Sequence, residues 1–249
     1  MDYSTQLSKS TGTPLANNTE YRKLIGRLLY LANTRPEISY AVGKLSQFLE
    51  CPTDKHFDAG LRVLRYLKSA PAQGLFFSTK SDLEVTGYSD SDWAACPDSR
   101  RSVSGYCFFL GTSLITWKSK KQNVVARSSA EAEYRALAGA TCEAQWITFI
   151  TKELKLNLAK PIAIYCDSQA ALHIAANSVF HERTKHIEVD CHIVHDKSKE
   201  NVTKLLPIRT TEQTADILTK ALSPKLFSAC HSKLRLLDIH TPSLREGVT

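Results

Sequence analysis

Residues 83–119 read LEVTGYSDSDWAACPDSRRSVSGYCFFLGTSLITWKS, and the fold is decided in this stretch. Apolar and polar residues alternate over 83–90, which is typical of a β-strand with one buried face. The segments 105–111 and 113–119 have the same texture, and a short turn at Gly111-Thr112 joins them into a predicted hairpin. The stretch therefore predicts three successive strands, with Asp90 and Asp92 at the end of the first.

Downstream of this stretch, helices and strands alternate. A long helix is predicted for residues 129–154, and the short apolar run PIAIYC (161–166) suits a buried strand. The remaining segments are predicted as helix 168–177, helix 186–199, strand 202–208 and helix 212–222. This order predicts an α/β fold with a mixed five-stranded sheet flanked by helices.

Upstream, the pattern is helical. Apolar stripes predict helices at 20–33, 38–49 and 54–67, separated by Pro36 and Pro52, and a short strand at 74–78. The predicted organisation is a linker at 1–17, a small helical unit at 18–78, the sheet domain at 79–222 and a C-terminal tail at 223–249.

Composition and charge restrict the partners and the compartment. The formal net charge of +7 favours a polyanionic partner such as nucleic acid, although a merely basic surface is the plain alternative. The seven cysteines include no CxxC pair, which indicates reduced thiols inside a cell. His186, His192 and His195 cluster near Cys191 but lack the paired spacing of a zinc site. No apolar run approaches about 18 residues, so we expect no membrane partner.

Four acidic residues, far apart in the sequence, could converge on one metal-binding pocket. They are Asp90 in GYSDSDWA, Glu133 in SSAEAEYRAL, Asp167 in YCDSQAAL and Asp216 in TADILTKAL. Carboxylates without a histidine and cysteine framework suit Mg²⁺, which prefers oxygen ligands.

Local spacing separates some of these acids from their neighbours and not others. Glu133 shares a helical face with Leu137 and Ala140, so it is directed toward the sheet, whereas Glu131 precedes Arg135 by one turn and is expected to form a surface ion pair. Strand alternation does not choose between Asp90 and Asp92. An N-cap role explains Asp167 as well as a functional one does, and Asp216 has no local support.

A basic segment without acids lies between Ser99 and Ala130. Its cations alternate with the aromatic residues Tyr106 and Trp117, which suits contact with a nucleic-acid backbone; a solvated charged face is the alternative. The candidate binding residues are Arg100, Arg101, Lys118, Lys120, Lys121 and Arg127.

Taken together, the segments resemble the ribonuclease H region of copia-type retrotransposon Pol polyproteins. The resemblance runs in order through YRKLIGRLLYLANTRPEISYAV, HFDAGLRVLRYLKSAP, GYSDSDWA, RRSVSGYCFFLG, WKSKKQ, RSSAEAEYRAL, YCDSQAAL, KHIEVD and EQTADILTKAL. It implies a ribonuclease H-like fold, with residues 18–78 corresponding to the tail of the reverse transcriptase and its connection.

The resemblance also implies a function and its site. It implies an endonuclease that cleaves the RNA strand of an RNA–DNA hybrid, with two Mg²⁺ ions, or Mn²⁺ in their place, held by Asp90, Glu133, Asp167 and Asp216. Hydrogen bonding of Glu133 to RNA 2′-hydroxyls would select RNA over DNA. The implied partners are the hybrid and the rest of the polyprotein. The implied location is the cytoplasm or nucleus, or a virus-like particle if the element is active.

Two departures from the family leave alternatives open. The Tyr-x-Asp-Asp motif of the polymerase and the integrase and protease signatures are absent, so the chain is expected not to polymerise DNA by itself. The segment PIRTTEQTAD lacks the histidine that cellular ribonucleases H carry before the last Asp. The alternatives are an inactive fragment that only binds nucleic acid, or an exonuclease or recombinase of the same superfamily.

Overall fold

The computed structural model describes residues 6–79, 81–156, 158–177 and 187–238. Three α-helices come first: α1 (Thr19–Leu31), α2 (Ser39–Leu45) and α3 (Asp54–Ser69). Short 3-10 turns at Pro36–Ile38 and Ser46–Phe48 flank α2, so the predicted helix 38–49 is α-helical only at its centre. The three helices enclose their own apolar cluster around Tyr21, Ile25 and Val42.

The residues predicted as a linker are held against the start of α3. The Thr53 side chain caps this helix by accepting from the His56 N–H, and the Thr53 hydroxyl donates to the Thr11 carbonyl at 2.6 Å. Asp54 accepts from the Thr13 N–H at 2.7 Å. Leu7 is buried with the helical cluster.

The central sheet has five strands in the order β4-β3-β2-β5-β6. Its strands are β2 (Val85–Asp92), β3 (Val103–Leu110), β4 (Ser113–Lys121), β5 (Ile162–Cys166) and β6 (Thr203–Pro207). The first three run antiparallel, whereas β5 is parallel to both β2 and β6. Gly111, with φ of +56°, and Thr112 form the turn of the predicted hairpin. The predicted mixed sheet is confirmed.

One face of the sheet is covered by helices α4 (Ser129–Glu153), α5 (Gln169–Ala176) and α6 (Glu188–Lys199). Phe108, Leu137 and Ile164 are fully buried between them. The face of α4 that the sequence directed inward is buried along its length, at Leu137, Ala140, Ala144 and Ile147.

The opposite face is covered by residues 210–238. The predicted helix 212–222 is wrong, because this segment forms two 3-10 turns, Thr210–Glu212 and Thr214–Leu218. Every residue of 213–219 except Asp216 is buried, so this segment has no solvent-exposed face. Tertiary packing therefore overrides the helical pattern. Helix α7 (Pro224–Lys233) and strand β7 (Leu236–Asp238) follow.

Two connections tie the outer parts of the chain to the sheet. Strand β7 pairs with β1 (Gln73–Leu75), so residues in the predicted C-terminal tail pack against the rest of the fold. The Trp117 indole donates to the Ala32 carbonyl at 3.2 Å, which links β4 to the end of α1. Among the residues described here, no helix has both the length and the apolar character needed to cross a bilayer.

Candidate active site

The four acids proposed from sequence meet at one end of the sheet. Asp90 lies near the end of β2, Asp167 follows β5, Glu133 lies in the second turn of α4 and Asp216 lies in a 3-10 turn. Strands β2 and β5 are parallel neighbours, so their carboxyl ends share an edge, which is where ligand sites form in α/β sheets.

Asp90 is at the centre of this cluster and Asp92 is at its edge. The Asp90 side chain is 1% exposed, and its pKa is raised by burial and by Asp167, against the opposing effect of Lys220. The charge of Asp90 contributes to the raised pKa values of both Glu133 and Asp216. The pKa of Asp92 is raised mainly by burial, with Lys220 opposing the shift and Asp90 adding to it. The structure thus separates two acids that alternation could not.

Asp90 is bonded through both carboxylate oxygens. Its Oδ2 accepts from the Thr219 hydroxyl, and its Oδ1 lies 3.3 Å from the Lys220 ammonium. Lys220 also lies 3.0 Å from Asp216 Oδ1, so one cation serves two acids. Burial raises the pKa of Asp216 to about 7, with Asp90 adding to the shift and Lys220 opposing it.

Glu133 has a buried carboxyl group with one unsatisfied oxygen. Burial, Asp90 and Asp167 together raise its pKa to about 9, and its Oε2 has no hydrogen-bond partner among the described residues. Its neighbour Glu131 pairs with Arg135 at 3.1 Å, as predicted, and accepts from the Arg127 N–H at 2.8 Å. The expectation of a surface pair was wrong, because the Glu131 side chain is only 6% exposed.

Asp167 is not the cap of the helix that follows it. The N-cap of α5 is Ser168, whose side chain accepts from the Ala171 N–H, so the capping interpretation of Asp167 is wrong. One oxygen each of Asp167 and Glu133 and the Cys166 Sγ lie within 4.8 Å of one another. Burial raises the pKa of the Cys166 thiol to about 12, so it stays neutral beside the two carboxylates.

The donor set fits a hard divalent cation. It consists of carboxylate oxygens, and Glu133 Oε2 is buried without a hydrogen-bond partner among the described residues. Burial and the repulsion between the acids raise the pKa of Glu133, and a bound cation would reverse that shift. Within the described part of the chain, Glu133, Cys166 and Asp167 are the one group of three potential ligands this close together. His192 and His195 lie on α6 outside this group, and His186 lies outside the described residues.

The predicted basic residues do not form a uniform surface. Arg100, Arg101, Lys118, Lys120 and Arg127 are exposed. Lys121 lies at the end of β4 nearest the acids but is half-buried, and its ammonium donates to Gln47 Oε1 of the helical unit at 2.8 Å. Lys118 lies 5.8 Å from the centre of the Tyr106 ring.

Three site residues were missed from sequence. Thr219 and Lys220 bond the acids directly, and Gly105 lets their segment approach β2, because a Cβ there would lie 2.7 Å from the Thr219 Cγ2. The spacing of Lys220, four residues after Asp216, is the one sequence signal that points to any of them.

No family model matches the chain. It is 45% identical over 231 residues to the retrovirus-related Pol polyprotein from transposon RE1 of Arabidopsis thaliana, covering 93% of this chain and 16% of that protein. The corresponding protein from transposon RE2 of the same species is 43% identical over 239 residues, covering 96% and 16%. A solved structure of LC11-RNase H1 in complex with RNA/DNA hybrid is 19% identical with a TM-score of 0.40, covering 55% of this chain and 94% of that chain.

The chain thus spans 16% of the length of these two Pol polyproteins, and their similarity extends over nearly all of it. The mixed sheet and its flanking helices form the ribonuclease H-like architecture predicted from sequence, and the predicted small helical unit precedes them. The chain belongs to the copia-type retrotransposon Pol polyproteins, of which it represents a segment.

Proposed function

We propose that the chain is a metal-dependent endonuclease that cleaves the RNA strand of an RNA–DNA hybrid. The observation that carries this proposal is the convergence of Asp90, Glu133, Asp167 and Asp216 from four separate segments at one end of the sheet. Ionising a buried carboxyl group is expensive unless a cation compensates its charge, so the raised pKa and the unsatisfied oxygen of Glu133 support a metal-binding role.

Mg²⁺ is the cofactor that the donor set favours, with Mn²⁺ as a substitute, and the four acids are the residues that would hold it. When bound, such ions activate a water for attack on a phosphodiester and stabilise the leaving oxygen. The chain's own contribution is positional. Thr219 fixes one oxygen of Asp90, and the helix face around Leu137 anchors Glu133 at the sheet edge.

The exposed cations extend the site toward a polyanionic strand. Register pairs Val103 with both Asp92 and Lys121, so the end of β4 lies at the same end of the sheet as the acids. Lys120 is exposed there, and the loop that carries Arg100 and Arg101 leads into the same end of β3. Phosphate contacts of this kind position a duplex without reading its bases. Glu133 is the group that we propose to distinguish RNA by its 2′-hydroxyl.

The test compares Asp90→Asn with Asp196→Asn on a labelled RNA–DNA hybrid, with Mg²⁺ and then with excess EDTA. Asp196 is an exposed acid of α6 and serves as the matched control. We expect the wild-type chain and Asp196→Asn to cut the RNA strand only with metal, and Asp90→Asn to lose cleavage. A DNA duplex should remain intact.

Two results would contradict the proposal. Cleavage by Asp90→Asn at the wild-type rate would remove the acid cluster from the reaction. Hybrid binding by the wild-type chain without metal-dependent cuts would instead identify a nucleic-acid-binding module that lacks nuclease activity.

A further inference from the structure

Lys220 divides the acid cluster into two unlike halves. Its ammonium lies 3.3 Å from Asp90 Oδ1 and 3.0 Å from Asp216 Oδ1, so these two acids already have a cation. Glu133 and Asp167 form the other half, and no described cation contacts either of them by an ion pair. The four carboxylates are therefore not equivalent toward an incoming metal ion.

The Lys220 side chain is held where it is by charge. It is 31% exposed, and although burial alone would lower its pKa, Asp90 and Asp216 raise it above the ordinary value. A lysine that stays charged in this position acts as a fixed monovalent counterion. Any divalent ion that uses Asp90 Oδ1 and Asp216 Oδ1 has to displace it.

The structure also provides space for the displaced side chain. A cavity of about 300 Å³ lies between the helical unit and residues 217–227, and Lys220 is part of its wall. Glu37 lines the same cavity, and its Oε2 is buried without a hydrogen-bond partner among the described residues. The other oxygen of Glu37 is paired with Arg35 at 2.6 Å, so one unsatisfied carboxylate oxygen shares this cavity with the lysine.

We propose that Lys220 is a built-in counterion that competes with the second divalent ion. In this arrangement the Glu133–Asp167 half takes the first ion directly, while binding at the Asp90–Asp216 half requires Lys220 to withdraw. Lys220 is thus a positioning residue. It stabilises the folded chain when no metal is bound, and it sets how tightly the second ion binds. The inference deepens the proposed nuclease function and rests on it for the identity of the cation.

The experiment titrates Mn²⁺ into wild-type chain, Lys220→Met and Lys220→Arg by calorimetry, and measures Tm without metal at pH 8. Lys225→Met, at an exposed position on α7, is the control. We expect Lys220→Met to lower the metal-free Tm by several degrees, because two buried carboxylates lose their cation. Its second Mn²⁺-binding step should tighten by roughly tenfold, since a charge a few ångströms from the ion has been removed.

Lys220→Arg keeps the charge and should keep the metal-free Tm close to that of the wild-type chain, with a weak second step. The inference is overturned if Lys220→Met leaves both the Tm and the second step unchanged. It is also overturned if Lys220→Arg is as unstable as Lys220→Met, which would show that packing and not charge matters at position 220. Failure of Lys220→Met to fold without metal, with recovery on adding Mn²⁺, supports it.

These outcomes are separate from those that test the nuclease. Two Mn²⁺-binding steps in a chain that never cuts a hybrid would refute the proposed function and leave the role of Lys220 intact. A chain that cuts hybrids but whose Lys220→Met variant binds Mn²⁺ and melts as the wild type does would refute the role of Lys220 alone.

Discussion

At Glu133, burial and two neighbouring carboxylates raise the pKa to about 9 from an ordinary value of 4.5. Between these values, the folded metal-free chain holds a proton that the unfolded chain has released. Its stability therefore falls as the pH rises through this interval. Asp216 acts in the same direction over a narrower range, because its pKa is raised to about 7 from 3.8. Metal binding replaces the protons and should remove the decline.

Replacement of Glu133 by glutamine is expected to stabilise the metal-free protein. Glutamine is neutral in both states, so folding of Glu133→Gln no longer has to retain a proton that the unfolded chain releases, and the free energy of unfolding near pH 8 should rise by on the order of 1–2 kcal/mol. The gain should vanish near pH 4. Thermal unfolding from pH 4 to 9 measures it, with Glu153→Gln on the exposed end of the same helix as control. A variant with the wild-type pH slope would show that Glu133 is not a proton-binding member of the cluster.

The segment Thr214–Leu218 and strand β3 meet unusually closely behind the acids. Gly105 of β3 faces this segment, where a Cβ would lie 2.7 Å from Thr219 Cγ2 and 2.9 Å from Leu218 Cβ. Gly105 also pairs with Asp90 in the register of β2 and β3. The absence of a side chain at 105 is therefore what brings the Thr219 hydroxyl and Lys220 to Asp90.

A methyl group at this position should push the segment away from the acids. We expect Gly105→Ala to lose about 1–3 kcal/mol of stability through overpacking and to weaken both hybrid cleavage and Mn²⁺ binding. Gly139→Ala is the control, since Gly139 lies on α4 with nothing within 4 Å of its Cβ position. It should be neutral or stabilising by up to about 1 kcal/mol. Denaturant unfolding and calorimetry measure both effects. Equal behaviour of the two variants would contradict the close approach at Gly105.

The molecule as a whole joins a helical unit and a sheet. Two adjacent lysines of β4, Lys120 and Lys121, lie in different surroundings. Lys120 is exposed, whereas Lys121 is tied to Gln47 of the helical unit. Neighbouring residues of a strand point to opposite faces, so one lysine is available to a polyanion and the next joins the two parts of the fold.

Lys120→Ala and Lys121→Ala should therefore differ in kind. Loss of one phosphate contact in Lys120→Ala should reduce the slope of log K against log salt for hybrid binding by roughly 0.9, with Tm unchanged. Lys121→Ala should instead lower the free energy of unfolding by on the order of 1 kcal/mol, because the hydrogen bond to Gln47 is lost, and its Tm should fall accordingly. Its salt slope should change less than that of Lys120→Ala. Binding measured at several salt concentrations, together with melting curves, separates them. A wild-type slope for Lys120→Ala would remove it from the interface.

Sequence periodicity predicted most of the elements but not all of their packing. Alternation located β2, β3 and β4, and the helical spacing of Leu137 and Ala140 correctly turned Glu133 toward the sheet. The same reasoning wrongly predicted an α-helix at 212–222. In sequence, a segment that is buried on all sides resembles the apolar face of a helix. Helix α7 and strand β7 were not predicted, since β7 forms only by pairing with β1, more than 150 residues earlier in the chain.

Local chemistry is sufficient to predict elements, because hydrophobic period and turn residues act over a few neighbouring positions. The segments around Asp90, Glu133, Asp167 and Asp216 identified the family and named the four acids. Strand alternation left Asp90 and Asp92 tied, and the resemblance to the family chose Asp90. Only the tertiary structure excluded Asp167 as a cap and placed Lys220 between Asp90 and Asp216. These distinctions depend on burial and on charges brought together across about half of the chain, and electrostatic energy follows distance in space and not separation in sequence.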